Sequence, residues 1–122
     1  MLMAAGNYPA KRRQYRLNIN SANACSAPEN GCKPSVDYLF RSAALQFPGR
    51  TVATILTGMG NDGTAGLRLL KRGGCRSIAQ DEATCVVFGM PKEAIAAGLI
   101  DTVAPLDRIA AAIVRSVREG GA

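Results

Sequence analysis

Hydrophobic and polar positions change period several times along these 122 residues, and each change marks an element. Tyr15, Leu17 and Ile19 alternate with Arg16, Asn18 and Asn20, the period of two expected of a half-buried strand. Asn7-Tyr8-Pro9 and Lys11-Arg12-Arg13 precede it as a turn, so residues 1–5 are expected to pair with it as a hairpin. Residues 21–33, rich in Ser, Ala, Asn, Pro and Gly, read as a loop. From Pro34 the period lengthens. Val36, Leu39, Phe40, Ala43 and Phe47 form one helical stripe, with Ser35 as its N-cap and Pro48-Gly49 as its stop. Residues 51–56 are apolar on both faces and suit the middle of a parallel sheet. They run into a glycine-rich turn, Gly58 to Gly63, and then a short helix that ends at Gly73-Gly74.

Residues 75–79 predict a second strand and 85–88 a short third. Pro91 opens a helix that Gly98 closes, and 100–104 make a brief strand. Leu106, Ile109, Ala110, Ile113, Val114 and Val117 mark the last helix, with Asp107 in its first turn and Arg115 and Arg118 near its end. From residue 34 onward the order is α-β-α-β-(β)-α-β-α. That alternation predicts an α/β domain with a doubly wound, mostly parallel sheet, to which residues 1–33 add a hairpin-like segment.

Composition narrows the classes of function. No apolar run reaches the 18 or more residues of a membrane span, and the uncharged start, Met-Leu-Met-Ala-Ala-Gly, lacks the h-region of a secretory signal. A cytoplasmic protein that does not insert into membranes is expected. Cys25, Cys32, Cys75 and Cys85 show no C-x-x-C spacing and there is no histidine, so they read as reduced thiols rather than a metal site. The formal charge of +6 gathers at Lys11, Arg12, Arg13 and Arg16, and again at Arg68, Lys71, Arg72 and Arg76. Only Tyr8 and Tyr15 flank the first cluster, too few aromatics for a nucleic-acid stacking surface. A basic face for an acidic protein accounts for the charge at least as well, and no nucleic acid is expected among the partners.

Gly58-Met59-Gly60-Asn61-Asp62-Gly63 is a strand stopped by glycines and feeding a helix, the place where α/β proteins put ligands and chemistry. Formally it is G-x-G-x-x-G, and Asp81 and Glu82 stand where a dinucleotide-binding fingerprint keeps its ribose-binding acid. Asp62 speaks against that use, because a pyrophosphate occupies the helix N-terminus and a second anion there repels it. Two readings of Asp62 remain. As an N-cap it accepts hydrogen bonds from the first amides of the following helix, worth about 0.5–2 kcal/mol. As a functional acid it orients a histidine on a neighbouring strand, as in a Ser-His-Asp triad. Composition does not choose between them.

Longer motifs bear on the choice. Ile55-Leu56-Thr57-Gly58-Met59-Gly60-Asn61-Asp62-Gly63, Ala79-Gln80-Asp81-Glu82 and Cys85-Val86-Val87-Phe88-Gly89-Met90-Pro91-Lys92-Glu93-Ala94-Ile95 closely resemble the catalytic domain of the CheB-type chemotaxis protein-glutamate methylesterases. Pro34-Ser35-Val36-Asp37-Tyr38-Leu39-Phe40-Arg41-Ser42-Ala43 fits the same family in the same order. The resemblance is strong over residues 34–117 and loose before them. It implies hydrolysis of glutamate γ-methyl esters on membrane chemoreceptors with release of methanol, and glutamine deamidation in some members. It also implies a serine nucleophile, a histidine base and an aspartate, with no cofactor and a methylated chemoreceptor as the protein partner. Asp62 matches the triad aspartate. The backbone N–H of Met59 matches the position that contributes to the oxyanion hole, where a fixed donor stabilises the tetrahedral anion. Without the resemblance, Met59 reads as a packed loop residue.

The sequence departs from the family in one large respect. The family's serine and histidine lie on earlier strands, before every motif matched here. This chain has no histidine, and Ser21, Ser26, Ser35, Ser42, Ser77 and Ser116 include none in a G-x-S-x-G elbow. A regulatory receiver domain is not expected within these residues either. Residues 34–122 are therefore expected to form the C-terminal portion of a methylesterase domain that Met1 enters part-way, without triad-level activity on its own. A central strand at 51–56 calls for neighbours on both sides, so self-association or pairing with a separate upstream chain is also expected. A reading of a different class is a non-catalytic module that keeps a receptor-facing surface without the chemistry. The sequence encoded upstream of Met1 separates the two.

Overall fold

The computed structural model describes residues 2–6 and 35–120. In chain order they form β1 (Leu2–Gly6), α1 (Val36–Gln46), β2 (Thr51–Ile55), α2 (Thr64–Arg72), β3 (Arg76–Gln80), α3 (Met90–Ala96), β4 (Thr102–Ala104), a 3-10 turn (Leu106–Arg108) and α4 (Ile109–Gly120). The strands lie in one sheet in the order β1-β2-β3-β4. β2, β3 and β4 run parallel, with Val52 opposite Arg76 and Ile78 opposite Thr102. β1 runs antiparallel along the other side of β2, Leu2 opposite Ile55. The α/β alternation expected from residue 34 is the architecture found. The hairpin expected between 1–5 and 15–19 falls partly outside the described residues, as do the cations at 11–16 and Cys25 and Cys32. The described partner of β1 is β2.

β2 is buried along its whole length because helices cover both of its sides. Ala53 and Ile55 enter a core with Phe40 and Ala43 of α1, Leu67 and Leu70 of α2, and Met90 and Ala94 of α3. Val52, and Leu56 just beyond the strand, enter a second core with Ile78, Ala104 and Ile109 under α4. The side-chain period of two turns one apolar strand into the divider between two cores.

Two helices differ in detail from their patterns. Phe40 and Ala43 are buried as the α1 stripe predicts, but Phe47 is the C-cap and only half-buried. The buried side of α4 is Ile109, Ala112, Ile113 and Val117, while Leu106 and Val114 are about half exposed. The turn before α4 is 3-10: the Arg108 N–H donates to the Pro105 carbonyl (2.9 Å), and the free N–H of the first residue, Leu106, donates to Thr84 Oγ1 (3.1 Å). Residues 85–88 do not form the expected strand; a single bridge joins Phe88 to Gly58. Val87 spends its N–H on the Thr57 hydroxyl (2.9 Å), and its carbonyl accepts from Gly58 N–H (3.1 Å), which leaves no ladder to propagate.

A polar stitch ties α2 to the sheet. Asp101, just before β4, accepts from Lys71 Nζ (2.5 Å) and from the Ser77 N–H (2.9 Å). The Asp101 N–H donates to Ser77 Oγ (3.1 Å), and that hydroxyl donates to the Leu99 carbonyl (2.5 Å).

Candidate active site

The glycine turn leaves β2 at its carboxyl end and places Asp62 in a buried position, 5% exposed. Its Oδ1 accepts from Ser35 Oγ (3.0 Å) and the Asp37 N–H (3.1 Å), and its Oδ2 accepts from the Val36 N–H (2.7 Å). Those amides belong to the start of α1, 26 residues earlier in the chain. Asp37 makes the reverse connection. Its Oδ1 accepts from the Gly63 N–H (3.1 Å) and the Gly66 N–H (2.7 Å), at the start of α2. Each helix start is thus capped by a carboxylate from beside the other, Asp37 in the first turn of α1 and Asp62 in the turn just before α2, where the dipole and the orphan amides favour an anion.

This exchange corrects two expectations. Ser35 occupies the N-cap position of α1, but its hydroxyl makes no cap bond to its own helix and turns instead onto Asp62. Asp62 does not cap the helix that follows it; that position is Gly63, at φ +104°, where a side chain is strained. The approach of the two helices needs small residues. A Cβ on Gly66 would lie 2.6 Å from Phe40 Cβ, and one on Gly63 would lie 2.8 Å from Val36 Cγ1. The arrangement also bears on the dinucleotide reading. The Gly63 and Gly66 amides that a pyrophosphate needs are already engaged by Asp37, so the turn is not built as a phosphate cradle.

Met59, three residues before Asp62, is 81% exposed, which overturns the packed-loop reading of its side chain. Among the described residues, its N–H donates to no backbone carbonyl or side chain. The turn's supporting wall is the loop after β3. Gln80 is buried and accepts from the Thr57 N–H through Oε1 (2.9 Å), while its Nε2 donates to the Thr84 carbonyl (2.8 Å). Thr84 Oγ1 donates in turn to Asp81 Oδ1 (2.5 Å). Ser35 and Asp37 were visible in the sequence only as the opening of a helix, and no periodicity indicates which distant turn a carboxylate will cap. Thr57 and Gln80 sit inside the quoted motifs, yet their polar side chains at a strand end gave the only local hint of a role.

Cys85, half-buried on the same loop, is no activated nucleophile: burial, reinforced by the nearby Asp81 and Glu82 carboxylates, pushes its thiol above the ordinary range. Among the described residues, no group of three or more His, Cys, Asp or Glu is placed to hold a metal ion. No described helix is long and apolar enough to cross a membrane. A cleft of about 160 Å³ lined by Gly49, Arg50, Gly74, Arg76 and Ser116 opens at the amino ends of β2 and β3, the opposite end of the strands from Asp62.

The family described as CheB methylesterase matches residues 2–113. A protein-glutamate methylesterase/protein-glutamine glutaminase of Desulfotalea psychrophila is 60% identical over 91 residues, which cover 75% of this chain and 25% of that protein. One from Bordetella pertussis is 48% identical over 118 residues, covering 93% of this chain and 34% of the relative. The crystal structure of the Thermotoga maritima CheB methylesterase catalytic domain superposes with a TM-score of 0.67 at 46% identity, over 69% of this chain and 44% of that one. The chain therefore spans about a quarter to a third of the length of these curated relatives. With ordered motifs, fold and family match in agreement, the chain belongs to the CheB methylesterase family.

Proposed function

We propose that this chain carries the acid corner of a protein-glutamate methylesterase site: Asp62 as the carboxylate that orients a histidine, and the Met59 N–H as one donor to the oxyanion. The observation that carries the reading is their placement on one turn at the carboxyl end of a central strand. A buried, multiply held carboxylate sits there within three residues of the Met59 backbone N–H, which no described residue engages. An aspartate in this role fixes the tautomer and orientation of an imidazole and stabilises its charged form; it does not itself activate a hydroxyl. The chain has no histidine, so the base has to come from another polypeptide segment, and the chain alone is inactive. The substrate is a glutamate γ-methyl ester on a chemoreceptor, and the products are glutamate and methanol.

The test is a chimera in which this chain replaces the matching 91-residue segment of the Desulfotalea psychrophila relative. Methanol release from methylated receptor is expected from the chimera and not from the isolated chain. Asp62→Asn in the chimera is expected to lower kcat by roughly 10³–10⁴-fold. An Asp62→Asn chimera that is folded and retains full activity removes Asp62 from the mechanism. A folded chimera that binds methylated receptor without hydrolysing it favours the non-catalytic module.

A further inference from the structure

The Met59 N–H is useful to an oxyanion only if it points in a fixed direction, and its own residue, 81% exposed, does not fix it. The direction is set one atom earlier. The Gly58–Met59 peptide is planar and trans, so its C=O and N–H point in opposite directions, and holding one aims the other. The Gly58 carbonyl accepts two backbone donors at once, from Gly89 (3.1 Å) and Met90 (2.9 Å). The Met59 N–H consequently points away from the start of α3.

Residues 57 and 58 are bound to the same loop by further contacts. The Gly58 N–H donates to the Val87 carbonyl (3.1 Å). The Thr57 hydroxyl accepts from the Val87 N–H (2.9 Å) and donates to the Val87 carbonyl (3.2 Å), a reciprocal clasp. Behind it, Gln80 holds the Thr57 N–H from within the fold (2.9 Å). Gly89 completes the fit by absence. A Cβ there would stand 2.7 Å from the Gly58 oxygen and 3.2 Å from Met59 Cα, displacing the peptide whose direction matters.

We infer that Thr57, Gly89 and the 84–90 loop form a positioning device that locks the Gly58–Met59 peptide so that the Met59 N–H faces the reacting carbonyl oxygen. Thr57 and Gly89 are positioning residues that act through the peptide and do not touch substrate. The inference rests on the reading of Met59 as an oxyanion donor.

Two measurements test it. In the ¹⁵N-labelled chain, the Gly58, Val87, Gly89 and Met90 amides are expected to exchange with solvent more slowly than the Met59 amide, and Thr57→Val is expected to release them together. Fast exchange at Gly89 and Met90 in the unsubstituted chain overturns the lock. In the chimera, Thr57→Val and Gly89→Ala are expected to lower kcat by about 10–100-fold, part of what loss of a whole oxyanion donor costs, with KM changed less than about twofold. Thr57→Ser, which keeps the hydroxyl, is expected to restore kcat; it also serves where Gly89→Ala does not fold. Unchanged kcat in a folded Thr57→Val chimera overturns the positioning role. Should the unsubstituted chimera be inactive, the proposed function fails, and amide exchange in the chain still decides whether the peptide is locked.

Discussion

Asp37 accepts two backbone N–H donors while only 4% exposed, so removing its carboxylate strands the Gly63 and Gly66 amides away from water. Asp37→Ala is expected to lower stability by about 2–4 kcal/mol in urea unfolding, the cost of buried donors left unpaired. Asp37→Asn keeps an acceptor oxygen and is expected to lose less than half as much. Equal losses in the two variants would mean that the shape of the side chain, not its acceptor, holds the turn. Asp62 shares this structural duty, since it holds the first amides of α1 while standing at the proposed site. Activity lost on substituting Asp62 is therefore meaningful only beside a measurement of folding. The sequence pointed to Asp62 and Met59 by motif and left a cap on the following helix open for Asp62, whose carboxylate instead holds the start of α1. Hydrogen bonds across 26 residues leave no trace in local spacing.

Helices and strands here are tied by polar stitches as well as by their apolar faces. The stitch at Asp101 joins α2 through Lys71, β3 through Ser77 and the entry to β4. Burial alone raises the Asp101 pKa, but the Lys71 ammonium and the Ser77 donors outweigh it and hold the carboxyl below its ordinary value. A carboxylate depressed in the folded state contributes stability that is fully present above the unfolded pKa, about 3.9, and is lost as pH falls through the lower folded value. Thermal midpoints of the chain are thus expected to fall from about pH 4 downward. Asp101→Asn is expected to be less stable at pH 6 and to show a flatter acid limb; a deficit that does not shrink on acidification argues against the stitch. Element types were largely legible because α1 carries a strong helical period and β2 is a short apolar run bounded by turn signals. The exceptions are short polar-edged pieces. At 85–88, β-branched residues suggested a strand, yet Val87 gives its backbone groups to Thr57 and Gly58. At 106–108, an apolar stripe suggested the start of a helix, yet the Arg108 N–H closes a tighter 3-10 turn onto the Pro105 carbonyl.

On the scale of the whole molecule, β2 separates two cores, Ala53 and Ile55 facing one and Val52 and Leu56 the other, where the sequence told only that both faces of the strand are apolar. Less readable was how the parts depend on one another. Because each of two helices takes its opening acceptor from the other, neither carries its own instruction to begin. Single helices of this length are marginal in water, and these two lack even the usual local start. Synthetic peptides of residues 34–47 and 61–74 are expected to show little helix by circular dichroism, while a 34–74 peptide shows more than their sum. Appreciable helix in either short peptide would make the crossed carboxylates an ornament of the finished fold. Otherwise they act as a mutual permission: two distant stretches of chain must meet before either commits to structure, and the proposed acid of the site is assembled in the same event.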